Sequence, residues 1–229
     1  MKVSYMKDYR KNELKNYVIG NILVIILFSG VLDLIYAHLG NDIDVLKNAV
    51  STLLGSALLS SVLYIYVYIL DSMVPSKFKD AFVYFLSGRP GDTIFEKILS
   101  PGVDARFTSD DAKEKYKVFY AELNQLTDKK KRGRLQNSKW YSIYQSLETN
   151  ETVRLSQQDF LLNRDMCIIS IVILFLYVVL SLLSSGFAIN KIVVWWLIIE
   201  IIITKIAAMS KAKRFALNVI AKDIHIQEK

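Results

Sequence analysis

Four stretches of this chain carry almost nothing but apolar side chains, and the charges collect between them. The first runs from Tyr17 to about Ala37, with one charge, Asp33, near its far end. The second, Ala49 to Leu70, and the third, Met166 to Phe187, have none. The fourth, Ile192 to Met209, holds Glu200 and Lys205. About 20 helical residues cross a hydrocarbon core about 30 Å thick, and each stretch is close to that length. The apolar runs are continuous rather than alternating, which predicts helices and not barrel strands. The first stretch is too long for a cleaved signal peptide, and no small-residue cleavage pattern follows it. The expected fold is an all-α integral membrane protein: two transmembrane helical hairpins separated by a mainly helical cytosolic insert. Its segments are an N-terminus at 1–16, a hairpin at 17–71, an insert at 72–165, a second hairpin at 166–209 and a tail at 210–229.

Between the spans, local signals predict short helices. Phe78, Ala81, Phe82, Tyr84 and Phe85 mark one from Lys77 to Leu86, which Ser87-Gly88-Arg89-Pro90-Gly91 ends as a turn. A short element follows at Thr93 to Leu99, closed by Ser100-Pro101-Gly102. Ser109 or Asp110 is positioned to cap a third helix reaching about Leu126, with an acidic first turn suited to the helix dipole. Lys129 to Arg134 reads as a basic loop broken at Gly133, and Trp140, Ile143, Tyr144 and Leu147 mark a fourth helix. Ser156 to Asp165 feeds into the third span. After Met209 the tail continues helical, either as a lipid-facing anchor or as a docking segment for the insert.

Basic residues set the expected orientation. Five precede the first span, sixteen lie between Ser72 and Asp165, and six are Lys205 and the tail. The two short connections assigned to the outside hold only Lys47 and Lys191. This asymmetry places both termini and the insert on the cytoplasmic side of the membrane. The net charge of +7 then reads chiefly as topology and attraction to anionic lipid. Nucleic acid is the less favoured partner, because no aromatic or Gly-rich phosphate motif accompanies the charge. Lys129, Lys130, Lys131, Arg132 and Arg134 remain candidates for binding lipid phosphate or a partner, or are simply a solvated segment.

Hydropathy supports a membrane class, with 52% hydrophobic residues and a mean hydropathy of +0.28. One cysteine, Cys167, rules out an intrachain disulfide framework and a CxxC site. Two distant histidines, His38 and His225, make a histidine metal site improbable, and no cofactor is expected. No nucleophile–base or metal cluster points to an enzyme.

Polar residues inside the spans carry the remaining chemistry. Thr52, Ser56, Ser60, Tyr64 and Tyr68 recur every fourth residue on the second span. Ser170, Tyr177, Ser181 and Ser184 fall near one face of the third, and Trp196, Glu200, Thr204 and Ala208 line one face of the fourth. Such stripes either join helices by close approach and hydrogen bonding or, with several copies assembled, line a wet path. Glu200 is the strongest candidate for an oligomer interface or pore, since a mid-membrane carboxylate must be paired, protonated or hydrated. Lys205, about 140° around the helix, is badly placed to pair with it.

Gln136-Asn137 with Trp140-Tyr141 and Tyr144, Leu161-Leu162-Asn163-Arg164-Asp165 entering the third span, and Arg214-Phe215 with Asn218-Val219 after the fourth form a further pattern. It resembles a group of uncharacterised bacterial four-helix membrane proteins, similar to the predicted membrane effectors of antiphage defence systems. The resemblance covers the second half of the chain and carries no catalytic residue. It implies a homo-oligomer that perturbs or permeabilises the inner membrane when a cytosolic protein or nucleotide signal engages the insert. A non-conducting anchor or sensor that recruits a soluble partner is the competing expectation.

Overall fold

The computed structural model describes residues 3–28, 61–62, 64–85, 87–183 and 189–226. The part of the first expected span beyond Phe28, most of the second span, Thr52, Ser56, Ser60 and Ser184 lie outside the described residues. Within them every regular element is helical: α1 Val3–Phe28, α2 at 64–73, α3 Ser76–Val83, a 3₁₀ turn at Pro90–Asp92, α4 Ile94–Lys97, α5 Ser109–Lys115, α6 Lys117–Asn124, α7 Lys129–Ser146, α8 Glu151–Leu183 and α9 Lys191–Ile224. Two of these, α8 and α9, are long and apolar enough to cross a membrane. With 33 and 34 residues, each is about 50 Å long, well beyond the thickness of a hydrocarbon core. The surplus is the polar Glu151–Asp165 end of α8 and the end of α9 beyond Met209.

The chain divides into two compact units. The apolar unit takes the chain up to Asp80 together with Leu162–Ile206, and the insert unit takes Ala81–Leu161 together with the chain from Ala207. In the apolar unit, Val18, Ile22 and Ile26 of α1 form a buried core with Val67 of α2, Ile169, Ile173 and Tyr177 of α8, and Val193 and Leu197 of α9. Each long helix contributes residues four apart, so each uses one narrow stripe. The opposite face of α9 carries Ile192, Trp195, Ile199, Ile202, Ile203 and Ile206, each at least 49% exposed.

The insert unit builds its own core from Phe95, Ile98, Leu123 and Val153 with Val219 and Ile220 of α9. The tail thus serves as the docking segment for the insert. Ala212, Phe215, Ala216 and Ala221 join the same cluster.

Three local expectations change. The expected third helix is two, because Tyr116 leaves helical geometry at φ −107°. Its ring packs edge-on against Phe95 at 5.0 Å and its hydroxyl donates to Asp223 at 2.6 Å. The cap of α5 is Thr108, one residue before the expected pair. Its hydroxyl accepts from the Asp111 N–H while the Asp111 carboxylate accepts from the Thr108 N–H, a reciprocal capping box. The basic stretch at Lys129 is not a loop but the start of α7, capped by Asp128, whose carboxylate accepts from the N–H groups of Lys130 and Lys131. Gly133 does not break that helix. It lies against the Pro90–Asp92 turn, where a Cβ would meet Asp92 Cβ at 3.4 Å, about van der Waals contact. The expected turns are present, with Gly88 and Gly102 at φ +70° and +76°, where other residues are strained.

Candidate functional site

The apolar unit joins α1, α8 and α9 by side-chain hydrogen bonds at successive levels. At the first level the Tyr17 hydroxyl donates to the Glu200 carboxylate and lies 2.6 Å from Ser170 Oγ. One turn further along α1, Asn21 Oδ1 accepts from Trp196 Nε1 at 3.0 Å, and Asn21 Nδ2 donates to the Tyr17 carbonyl at 3.2 Å. Near the end of α1, Asn190 Nδ2 donates to the Phe28 carbonyl, and the Asn190 N–H donates to Tyr177 Oη at 2.8 Å. Partners move up α1 as they move down α9, the register of two antiparallel helices. In a low-dielectric setting such cross-helix bonds fix helix rotation, because a polar group turned outward would lose its partner.

Ser170 and Glu200, chosen from sequence, are therefore brought together by Tyr17, which was not. Tyr17 and Asn21 sit four apart on an apolar helix, so the signal existed. A tyrosine at the start of a span reads first as an interfacial anchor. Thr204 Oγ1 donates to the Glu200 carbonyl at 2.6 Å, and Ser181 Oγ to the Tyr177 carbonyl at 2.8 Å. Both satisfy their own helix and reach no other element by these bonds. Tyr64 is half-buried on α2, its ring 6.2 Å from Tyr68. Thr52, Ser56 and Ser60 cannot be placed.

A second group closes the polar end of this unit. Lys79 Nζ lies 2.5 Å from Asp71 Oδ1 and 3.7 Å from Asp165 Oδ1. Arg164 pairs with Asp165 at 3.1 Å and with Asp80 at 2.9 Å. Asp165 is fully buried, and the Lys79 and Arg164 side chains are only 6% and 8% exposed. Residues from the ends of α2, α3 and the polar part of α8 are thus tied by charge-assisted bonds that compensate one another's burial.

In the insert unit the basic candidates separate into two roles. Arg132 turns inward: its guanidinium donates to Glu96 at 2.8 Å and to the Leu123 and Leu126 carbonyls at 2.8 and 3.1 Å. It caps the end of α6, where carbonyls lack helical partners. Lys129, Lys130, Lys131 and Arg134 are exposed.

The tail is held by polar contacts as well as by packing. Arg106 donates to Asn218 Oδ1 at 2.8 Å while pairing with Asp104 at 2.6 Å. His225 Nε2 is 2.9 Å from the Arg106 carbonyl, and Trp140 Nε1 donates to the Ala216 carbonyl at 3.3 Å. The Arg106 guanidinium holds the Asp104 carboxyl below its ordinary range. A depressed carboxyl contributes stability above its unfolded value of about 3.9, and that contribution disappears as pH falls through the lower folded value. Asp104→Asn is therefore expected to melt at lower temperature than the parent at pH 6, with the difference narrowed at pH 3. Thermal denaturation of the purified protein at both pH values checks this.

Among the described residues no group of three or more His, Cys, Asp or Glu side chains is placed to hold a metal ion. The arrangement joins helices and presents a charged surface. No protein-family model, characterised protein or solved structure matches the chain.

Proposed function

We propose that this protein is a multi-pass anchor of the bacterial inner membrane that holds a helical docking module in the cytoplasm, with both termini on that side. The observation that carries this reading is α9. Its first part exposes a continuous apolar face while directing Trp196, Glu200 and Thr204 elsewhere, and its last part forms the core of the insert unit. An apolar outer face suits lipid or another copy of the chain, whereas a pore between copies needs polar groups on that face. The recruited partner is a soluble cytosolic protein that recognises the insert unit. Induced expression should leave the membrane potential unchanged as read with a voltage-sensitive dye. Reporter fusions at Gly133 and Lys229 should be active only as cytoplasmic reporters, and a periplasmically active fusion at either place rules out this topology.

Glu200 supports a second reading, an oligomeric effector that permeabilises the membrane when the insert is engaged, as the resemblance to antiphage effectors implies. A carboxylate within an apolar span is costly unless partnered, and Tyr17 partners it. On this reading the Tyr17–Glu200 bond is a latch, and Tyr17→Phe depolarises cells and slows growth. On the anchor reading the same substitution removes one charge-assisted bond, lowering bundle stability by about 1.5–3 kcal/mol without depolarisation. Glu200→Gln with unchanged assembly, conductance and growth eliminates the latch.

A further inference from the structure

Resting on the reading that the chain is tethered to a bilayer, we infer that the exposed face of α7 binds the anionic headgroups of that bilayer. Among its 18 residues are six cationic side chains and no acidic one. Gln136 and Ile143 bury one side of the helix, and Arg132 is consumed by Glu96 and the α6 carbonyls. What remains outward is sorted. Lys130, Lys131, Arg134, Ser138 and Tyr141 are all exposed and share an arc of about 100°. Lys129 and Lys139, also exposed, lie outside that arc, on the other side of the helix. Among the described residues none of these five cations makes an ion pair. Three consecutive lysines also occupy the first turn of α7, where the helix dipole disfavours cations. The fold thus holds this charge together without neutralising it.

The polyanion that fits is lipid rather than nucleic acid. Binding to single strands uses several exposed aromatic faces for stacking. Here Trp140 and Tyr144 are packed on Phe215, with ring centroids 5.3 and 5.4 Å away, and Tyr141 is the one large aromatic of α7 that is 50% exposed. A lone tyrosine beside lysines matches the amphipathic chemistry of a headgroup layer. Proximity adds to this. The insert is chain-continuous at both ends with helices of the apolar unit, so a bilayer around those helices is present at high effective concentration. Each basic residue near an anionic leaflet shifts such docking on the order of fivefold.

The test uses the full chain with Cys167→Ser and Ser138→Cys, labelled at the new cysteine with an environment-sensitive fluorophore. The protein is reconstituted in nanodiscs of phosphatidylcholine alone or with one third phosphatidylglycerol, both containing a headgroup quencher. Quenching is expected only with phosphatidylglycerol, is reversed by about 0.5 M salt, and falls on the order of a hundredfold in docking equilibrium with Lys130→Gln, Lys131→Gln and Arg134→Gln combined. The triple variant should melt no lower than the parent, since among the described residues these side chains make no ion pair and two of them sit against the helix dipole. Equal quenching in both discs, or none in either, overturns the inference. So does a salt-sensitive response to a short RNA that exceeds the lipid response, which would reassign the face to nucleic acid. Failure of the protein to enter nanodiscs at all, with recovery from the soluble fraction without detergent, overturns the membrane reading instead.

Discussion

A chain terminated after Met209 is expected to lose the fold of its insert unit altogether. Residues from Ala212 onward supply Ala212, Phe215, Ala216, Val219, Ile220 and Ala221 to the buried cluster that also holds Phe95, Ile98 and Leu123. Removing one buried aliphatic or aromatic side chain costs about 2–5 kcal/mol. A domain of this size has about 5–15 kcal/mol in total. Losing Phe215, Val219 and Ile220 together removes about 6–15 kcal/mol, as much as that whole margin, even before the Arg106–Asn218 and Tyr116–Asp223 bonds are counted. Limited proteolysis reads the result directly: the parent resists cleavage within α4 to α7, and the truncated chain is cut there at once. A milder form, Phe215→Ala, should lower the unfolding free energy by about 3–5 kcal/mol. Persistence of a protease-resistant insert in the truncated chain would mean that the tail is only an accessory to that core.

Asp165→Ala has the next largest expected effect. The substitution removes a carboxylate that both Lys79 and Arg164 contact, inside a region where both cations are nearly shielded from solvent. Breaking a buried charge pair from one side costs about 3–5 kcal/mol, because the remaining charge keeps its desolvation without its compensation. Asp159→Ala, which removes the partner of Lys211 at an exposed site, should cost under about 1 kcal/mol. The pair of variants separates burial from charge count. Steady-state abundance in cells and thermal denaturation in detergent should both fall for Asp165→Ala and stay near the parent for Asp159→Ala. Similar losses for both would show that the Lys79–Asp165–Arg164 group is solvated.

Both predictions rest on residues whose importance is unequally visible along the chain. Arg164 and Asp165 stand at the edge of an apolar run, where charges are ordinary, and nothing nearby announces Lys79, Asp71 or Asp80 as their partners. Glu200 is conspicuous because a carboxylate in an apolar helix violates the pattern around it. Its donor, Tyr17, violates nothing and is revealed only when α1 and α9 lie side by side. Arg132 shows the same asymmetry. In sequence it is one of five similar cations, and only the arrival of Glu96 and the end of α6 sets it apart from Lys129, Lys130, Lys131 and Arg134.

Hydropathy and turn chemistry determined the helical class, the two long apolar helices and the turns at Gly88 and Gly102, because those features depend on side chains within one or two turns of each other. Local capping rules came within one residue of Thr108. They missed Asp128, since a run of lysines after it opposes the helix dipole and reads as irregular. The tertiary structure decided what depends on residues far apart in the chain. It split α5 from α6 by burying Tyr116 against Phe95, made the tail part of the insert core, and turned Glu200 toward Tyr17. These are outcomes of packing and of the need to satisfy buried polar groups, and neither is encoded at any single position until the helices meet.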